Sequence, residues 1–175
     1  MVLNAKKKLE KSYHISGSAL RWFSSYLGGR VQRVVVNGKA SDWAPVRSGT
    51  PEGGLLSPLL FAMYINDLPN HITNSCCLMF ADDVKIFRKV TCRADADILQ
   101  EDLNRLCKWS RTWKLNLNPL KCKSFRMTLK RFPIYNTYCV ENTALEHVGN
   151  HSGPGCDFGS KVNFFHTNWY LCQKS

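Results

Sequence analysis

The sequence is short of acid. Against 24 lysines and arginines stand 13 aspartates and glutamates, a formal net charge of +11. Before Ser48 the only acids are Glu10 and Asp42, and neither follows an apolar, strand-like run. Such an imbalance points to a polyanionic partner, with nucleic acid ahead of a membrane surface. The chain also lacks long apolar runs: none approaches the roughly 20 residues a membrane-crossing helix needs, so no membrane partner is expected. A secretory signal core is missing too, because Val2-Leu3 soon meets Lys6-Lys7-Lys8. An intracellular, reduced protein is therefore expected. The eight cysteines contain no Cys-x-x-Cys, and the neighbours Cys76-Cys77 suit a disulfide framework poorly. Cys139, His147, His151 and Cys156 can be assembled on paper into a zinc site, but their spacing departs from the paired-ligand pattern. No internal repeat or low-complexity tract occurs.

What is present suffices for a core. With 44% hydrophobic and 21% charged residues in 175, the composition is that of a globular domain, or of a large part of one. The pattern predicts a helix over residues 3–13. A second, capped by Ser16 or Ser18, aligns Leu20, Phe23 and Leu27 and stops at Gly28-Gly29. Arg30 to Val36 reads as a strand, Asn37-Gly38 as a hairpin turn, and Pro45 makes the return strand an edge or irregular one. Arg30 and Arg33 either face nucleic acid or are simply solvated.

Residues 48–58, Ser-Gly-Thr-Pro-Glu-Gly-Gly-Leu-Leu-Ser-Pro, place three glycines beside a proline, ahead of an apolar helix predicted over Leu59 to Leu68. Backbone without side chains can approach another molecule closely, and the amides at a helix start attract phosphate. The Gly-Lys-Ser/Thr of a P-loop is absent, so a purely structural junction is the competing reading.

Phe80-Ala81-Asp82-Asp83 lies between the apolar run Cys76–Phe80 and the β-prone Val84–Phe87. Such a stretch predicts a β-hairpin with acids at its tip, a rim where divalent cations can be held against phosphate oxygens. Aspartate is also an ordinary turn residue. Beyond it, Asp95 or Asp97 is expected to cap a helix lined by Leu99, Leu103, Leu106 and Trp113 and laid over a sheet. Trp109 and Trp113 suit either base stacking or the core. Phe125 to Leu129 and Ile134 to Val140 are β-prone and expected to pair. Residues 149–175 show little periodicity and read as a divergent, poorly structured tail.

Taken together, these stretches resemble the reverse transcriptase domain of non-LTR (LINE-like) retrotransposons. Ser48 to Phe61, continuing into Tyr64-Ile65-Asn66-Asp67-Leu68-Pro69, resembles the family's motif B. Phe80-Ala81-Asp82-Asp83 resembles motif C, and Leu115-Asn116-Leu117-Asn118 with Lys121-Cys122 resembles motif D. Trp22 to Leu27 and Arg30 to Gln32 match the segment between motifs A and B. The resemblance covers residues 1–148. It implies an α+β fold, a polymerase palm-like antiparallel sheet backed by helices and incomplete at the N-terminus. It further implies RNA-directed DNA synthesis with two Mg²⁺ ions, an RNA template, a DNA primer and deoxynucleoside triphosphates. Asp82 would be the main metal ligand and Asp83 a weaker one or an electrostatic support. Lys121 would neutralise or protonate pyrophosphate, while Gly49, Pro51, Glu52, Gly53 and Gly54 would lie against nucleotide and template. Glu52 stands where the family usually has Gln. Motif A and the fingers, the missing N-terminal part of a parent polyprotein, have no counterpart here, so this chain alone is expected to be inactive. The alternative is a catalytically dead remnant that only binds nucleic acid.

Overall fold

A computed structural model describes residues 2–51, 53–127, 134–151 and 162–168. By its internal contacts the chain divides into two units, one reaching to Asn66 and the other running from Asp67 to Tyr170.

In the first unit, α1 (Val2–Tyr13) and α2 (Gly17–Leu27) form as expected. Ser16 occupies the N-cap position of α2 without a side-chain capping bond. Gly28 ends the helix by donating its N–H to Ser24 O at 3.0 Å. Leu9, Leu20, Leu27 and Leu60 make the core, with Phe23 and Tyr26 packed against it. Trp22 stays half exposed and stacks on Tyr26, ring centroids 5.2 Å apart. The buried Lys8 keeps its charge solvated internally: its ammonium donates to Tyr64 O and lies over the Tyr64 ring.

The strand expected from Arg30 to Val36 is broken into β1 (Val31–Gln32) and β2 (Val35–Val36). The return arm is likewise split, into β3 (Lys39–Ala40) and β4 (Ala44–Pro45). The break falls where Val34 N donates to Ser41 Oγ at 3.0 Å instead of continuing the ladder. Asn37 and Gly38 both have positive φ, as a type I′ turn requires. Next, α3 runs Ser57–Ile65, shorter than predicted. After Asn66-Asp67 the chain tightens into a short 3-10 helix, Leu68–His71, with Pro69 in its first turn, where the missing N–H costs no hydrogen bond.

The second unit is a five-stranded sheet in the order β10-β7-β11-β6-β5. Its elements are β5 (Cys76–Phe80), β6 (Asp83–Lys89), α4 (Arg93–Trp113), a 3-10 turn Pro119–Lys121 and β7 (Lys123–Met127). After them come a small hairpin, β8 (Cys139–Val140) with β9 (Thr143–Ala144), then β10 (Glu146–His151) and β11 (Val162–Asn168). The α+β class is as expected. The sheet is antiparallel except at one edge, where β10 runs parallel to β7. Since β11 is antiparallel to both β6 and β7, those two strands run the same way, joined by α4 with one strand between them. Val84 and Ile86 are fully buried in the sheet, as are Leu99, Leu103 and Leu106 along α4. At roughly 1.5–3 kcal/mol for each buried leucine, that stripe is a principal stabiliser of the layer. Trp109 is core and Trp113 half-buried.

Four sequence expectations change here. The N-cap of α4 is Cys92, not Asp95 or Asp97; Asp95 sits three residues in and accepts from Thr91 N at 2.8 Å and Cys92 N at 3.2 Å. These bonds, with one from the Thr91 hydroxyl at 2.6 Å, hold its carboxyl well below the usual carboxylate range. Asp102, on the helix face expected to be apolar, is fully buried. It accepts from Thr73 N, Asn74 N and Arg105, fastening the loop before β5 to α4. The region Ile134–Val140 does not pair with β7; its end forms β8, whose partner is β9. Finally, Val162–Asn168, within the expected tail, is an inner strand of the sheet. Its pairing is supplied by β6 and β7, some 35 to 85 residues earlier, which local periodicity does not reveal.

Candidate active site

The hairpin built by β5 and β6 pairs Phe80 with Asp83, so Ala81-Asp82 is a two-residue loop. Such a tight connection puts the two carboxylates at a rim backed by Val84 and Ile86, as the sequence predicts. Asp82 is exposed, Asp83 half-buried. Ala81 carries φ +50°, a left-handed conformation that costs a residue with a Cβ about 1–2 kcal/mol. Strain of that size persists where strand pairing on both sides dictates the turn. On the neighbouring strand, Asn168 of β11 is the backbone partner of Asp83.

Hard oxygen donors of this kind suit a divalent cation. Two carboxylates are also the usual protein share for Mg²⁺, which keeps water and phosphate oxygens as its other ligands. Among the described residues no three of His, Cys, Asp or Glu come together as a metal-holding group. Of the four residues of the zinc reading, Cys156 lies outside the described residues, so that set is not described as a whole.

Lys121 is exposed at the end of the 3-10 turn whose cap is Asn118, its Oδ1 accepting from Leu120 N at 3.1 Å. It leads into β7, which β11 separates from β6.

The glycine loop belongs to the first unit. Gly49 and Gly53 have φ of +81° and +71°, so the loop needs them for backbone reasons. Gly54 is needed for space: a Cβ there would lie 2.6 Å from Tyr26 Oη and 2.9 Å from Ser57 Oγ. Pro51 O accepts from Gly54 N at 3.2 Å and from the Ser57 hydroxyl, closing the turn onto α3. Glu52 lies outside the described residues.

Sequence reasoning missed what holds this loop. Arg30 reaches back to Leu27 O with Nε, at 3.1 Å, and its Nη2 donates to Ser48 O and Gly49 O. It is thus committed to the loop backbone rather than facing nucleic acid. An arginine just past a helix end, near its last carbonyls, was the available signal. Arg33 lies over the Trp43 ring at 4.7 Å.

Among the described residues Cys76, Cys77, Cys92, Cys107, Cys122 and Cys139 are free thiols, and burial pushes Cys77 up to about 11. Among the described residues no helix is long and apolar enough to cross a membrane.

Comparison with known proteins agrees with the motif reading. The chain is 35% identical over 112 residues to the probable RNA-directed DNA polymerase from transposon X-element of Drosophila melanogaster, covering 61% of this chain and 12% of that protein. It is 29% identical over 122 residues to the RNA-directed DNA polymerase from mobile element jockey of Drosophila funebris, covering 65% and 13%. To the probable RNA-directed DNA polymerase from transposon BS of Drosophila melanogaster it is 33% identical over 149 residues, 80% of this chain and 16% of the relative. The chain therefore spans less than a fifth of the length of these relatives. No solved structure matches. The family described as reverse transcriptase (RNA-dependent DNA polymerase) matches residues 3–151, and with the glycine loop and acidic hairpin inside that span, the chain belongs to the reverse transcriptase family.

Proposed function

We propose that this chain is part of the palm of an RNA-directed DNA polymerase, with residues 1–148 as its reverse transcriptase portion. The observation that carries the reading is the strained acidic tip Ala81-Asp82-Asp83 on a two-residue loop, inside a matched family span. Its substrates would be deoxynucleoside triphosphates on an RNA template and DNA primer. Asp82 and Asp83 would hold Mg²⁺, which supplies an activated primer hydroxyl and a stabilised leaving pyrophosphate in nucleotidyl transfer. Water and substrate phosphate oxygens would complete the coordination. Gly49, Pro51, Gly53 and Gly54, braced by Arg30, would offer backbone to nucleotide and template, with Glu52 in the same loop of the sequence. Lys121, exposed and cationic, would neutralise pyrophosphate. The charge of +11 supports a protein working on nucleic acid.

A second reading, a remnant that binds nucleic acid without catalysis, is favoured by the shortage of a third acid near the hairpin among the described residues. Primer extension separates the two. The chain alone should give no product with Mg²⁺ or Mn²⁺, while a fusion to the preceding region of the X-element polymerase should extend a primer, and Asp82→Ala should abolish that extension. A fusion that folds, binds primer-template and still does not extend would refute the catalytic reading. Extension by the chain alone, lost in Asp82→Ala, would mean that an acid such as Asp42 or Asp67 completes the site.

A further inference from the structure

In the second unit a cleft of about 390 Å³ opens between the 3-10 turn Leu68–His71 and the C-terminal half of α4. None of its lining residues belongs to the acidic hairpin. Its walls include His71, Arg105, Lys108 and Thr112, with the indoles of Trp109 and Trp113 among the apolar surface. Among the described residues no carboxylate lines it.

One wall is rigid. Arg105 Nη1 bonds Asp102 Oδ1 at 2.7 Å and the Thr73 hydroxyl, while Asp102 also accepts from Thr73 N and Asn74 N. Asp102 is fully buried, so the guanidinium is held in place from beneath. Glu101, 3.8 Å from Arg105 on the exposed side, offsets part of its charge. Lys108, also in the lining, is exposed.

A cleft of this size takes one nucleotide unit rather than a duplex. An aromatic surface beside a cation is the pairing that single-stranded nucleic acids use, base on ring and phosphate on ammonium, without reading sequence. We infer that this cleft is a binding subsite for one nucleotide of a single-stranded nucleic acid, its base against Trp113 and its phosphate toward Lys108 and Arg105. The inference borrows from the polymerase reading only the nearness of single strands.

The test uses the whole chain in EDTA, so that failure of the metal-dependent reading leaves it untouched. A fluorescein-labelled oligothymidylate 12-mer is titrated against wild type, Lys108→Glu, Trp113→Ala, Trp113→Phe and Lys39→Glu, the last an equal charge change on the exposed β2–β3 hairpin. Lys108→Glu and Trp113→Ala should each weaken binding roughly tenfold. Trp113→Phe, which keeps a stacking ring, and Lys39→Glu should change it less than about threefold. Photocrosslinking with a 4-thiothymidine oligonucleotide of the same length gives a readout independent of variant folding; adducts should map to Trp109–Lys114. Adducts only elsewhere, equal losses for Lys108→Glu and Lys39→Glu, or equal competition by polyglutamate would each overturn the subsite.

Discussion

Ala81 and Asp95 show how much one residue can carry in this chain. The left-handed Ala81 is the strained point of the hairpin tip, and glycine occupies that region without the Cβ penalty. Ala81→Gly is therefore expected to stabilise the protein by about 1 kcal/mol, measured by urea unfolding. No change, or a loss, would show that the tip relaxes without its Cβ. Asp95 has its pKa lowered by bonds from the Thr91 hydroxyl, Thr91 N and Cys92 N. A carboxylate lowered in the folded state contributes stability above its unfolded pKa of about 3.9 and loses it as pH falls through the folded value. Asp95→Asn should thus be less stable than wild type at pH 7, with the gap closing as pH drops below about 4. A gap independent of pH would assign the role to hydrogen bonding without charge. The Asn37-Gly38 turn and Gly49 were legible from residue type. Arg30 was not, because its partners, Ser48 O and Gly49 O, are brought near only when the intervening strands fold back.

Among the elements, α4 and the β5–β6 hairpin follow their sequence patterns closely, since each is organised by contacts within a short span. The apolar spacing of Leu99, Leu103 and Leu106 specifies the buried face of α4, and alternation in β6 specifies Val84 and Ile86. Strand β11 is the opposite case. It is hydrogen-bonded on both edges, with Phe164 opposite Phe87 on one side and Phe125 on the other. Phe164→Pro removes one N–H from an inner strand and should cost about 1–3 kcal/mol, read as a lower unfolding midpoint. Hydrogen exchange at Phe87 and Phe125 should speed up in the same variant. Unchanged protection there would place β11 outside the sheet.

For the whole molecule, the dominant quantity is charge. A net +11 spread over 175 residues favours any polyanion, and displaced counterions make that binding salt-dependent. Affinity for a primer-template should fall more than about tenfold between 50 and 200 mM salt, whatever its sequence, as fluorescence anisotropy would report. Equal affinity at both salts would reject the electrostatic account. Composition, the glycine loop and the acidic hairpin by themselves determined the family, the α+β class and the residues at the hairpin tip, because those signals are carried by residue type and short-range spacing. Tertiary structure alone decided that Asp102 locks a loop onto α4, that Arg30 braces the glycine loop, and that the slot between β6 and β7 is filled by β11. Each of these rests on groups far apart in the chain meeting to satisfy a buried charge, a carbonyl or a strand edge, and no local pattern encodes that pairing.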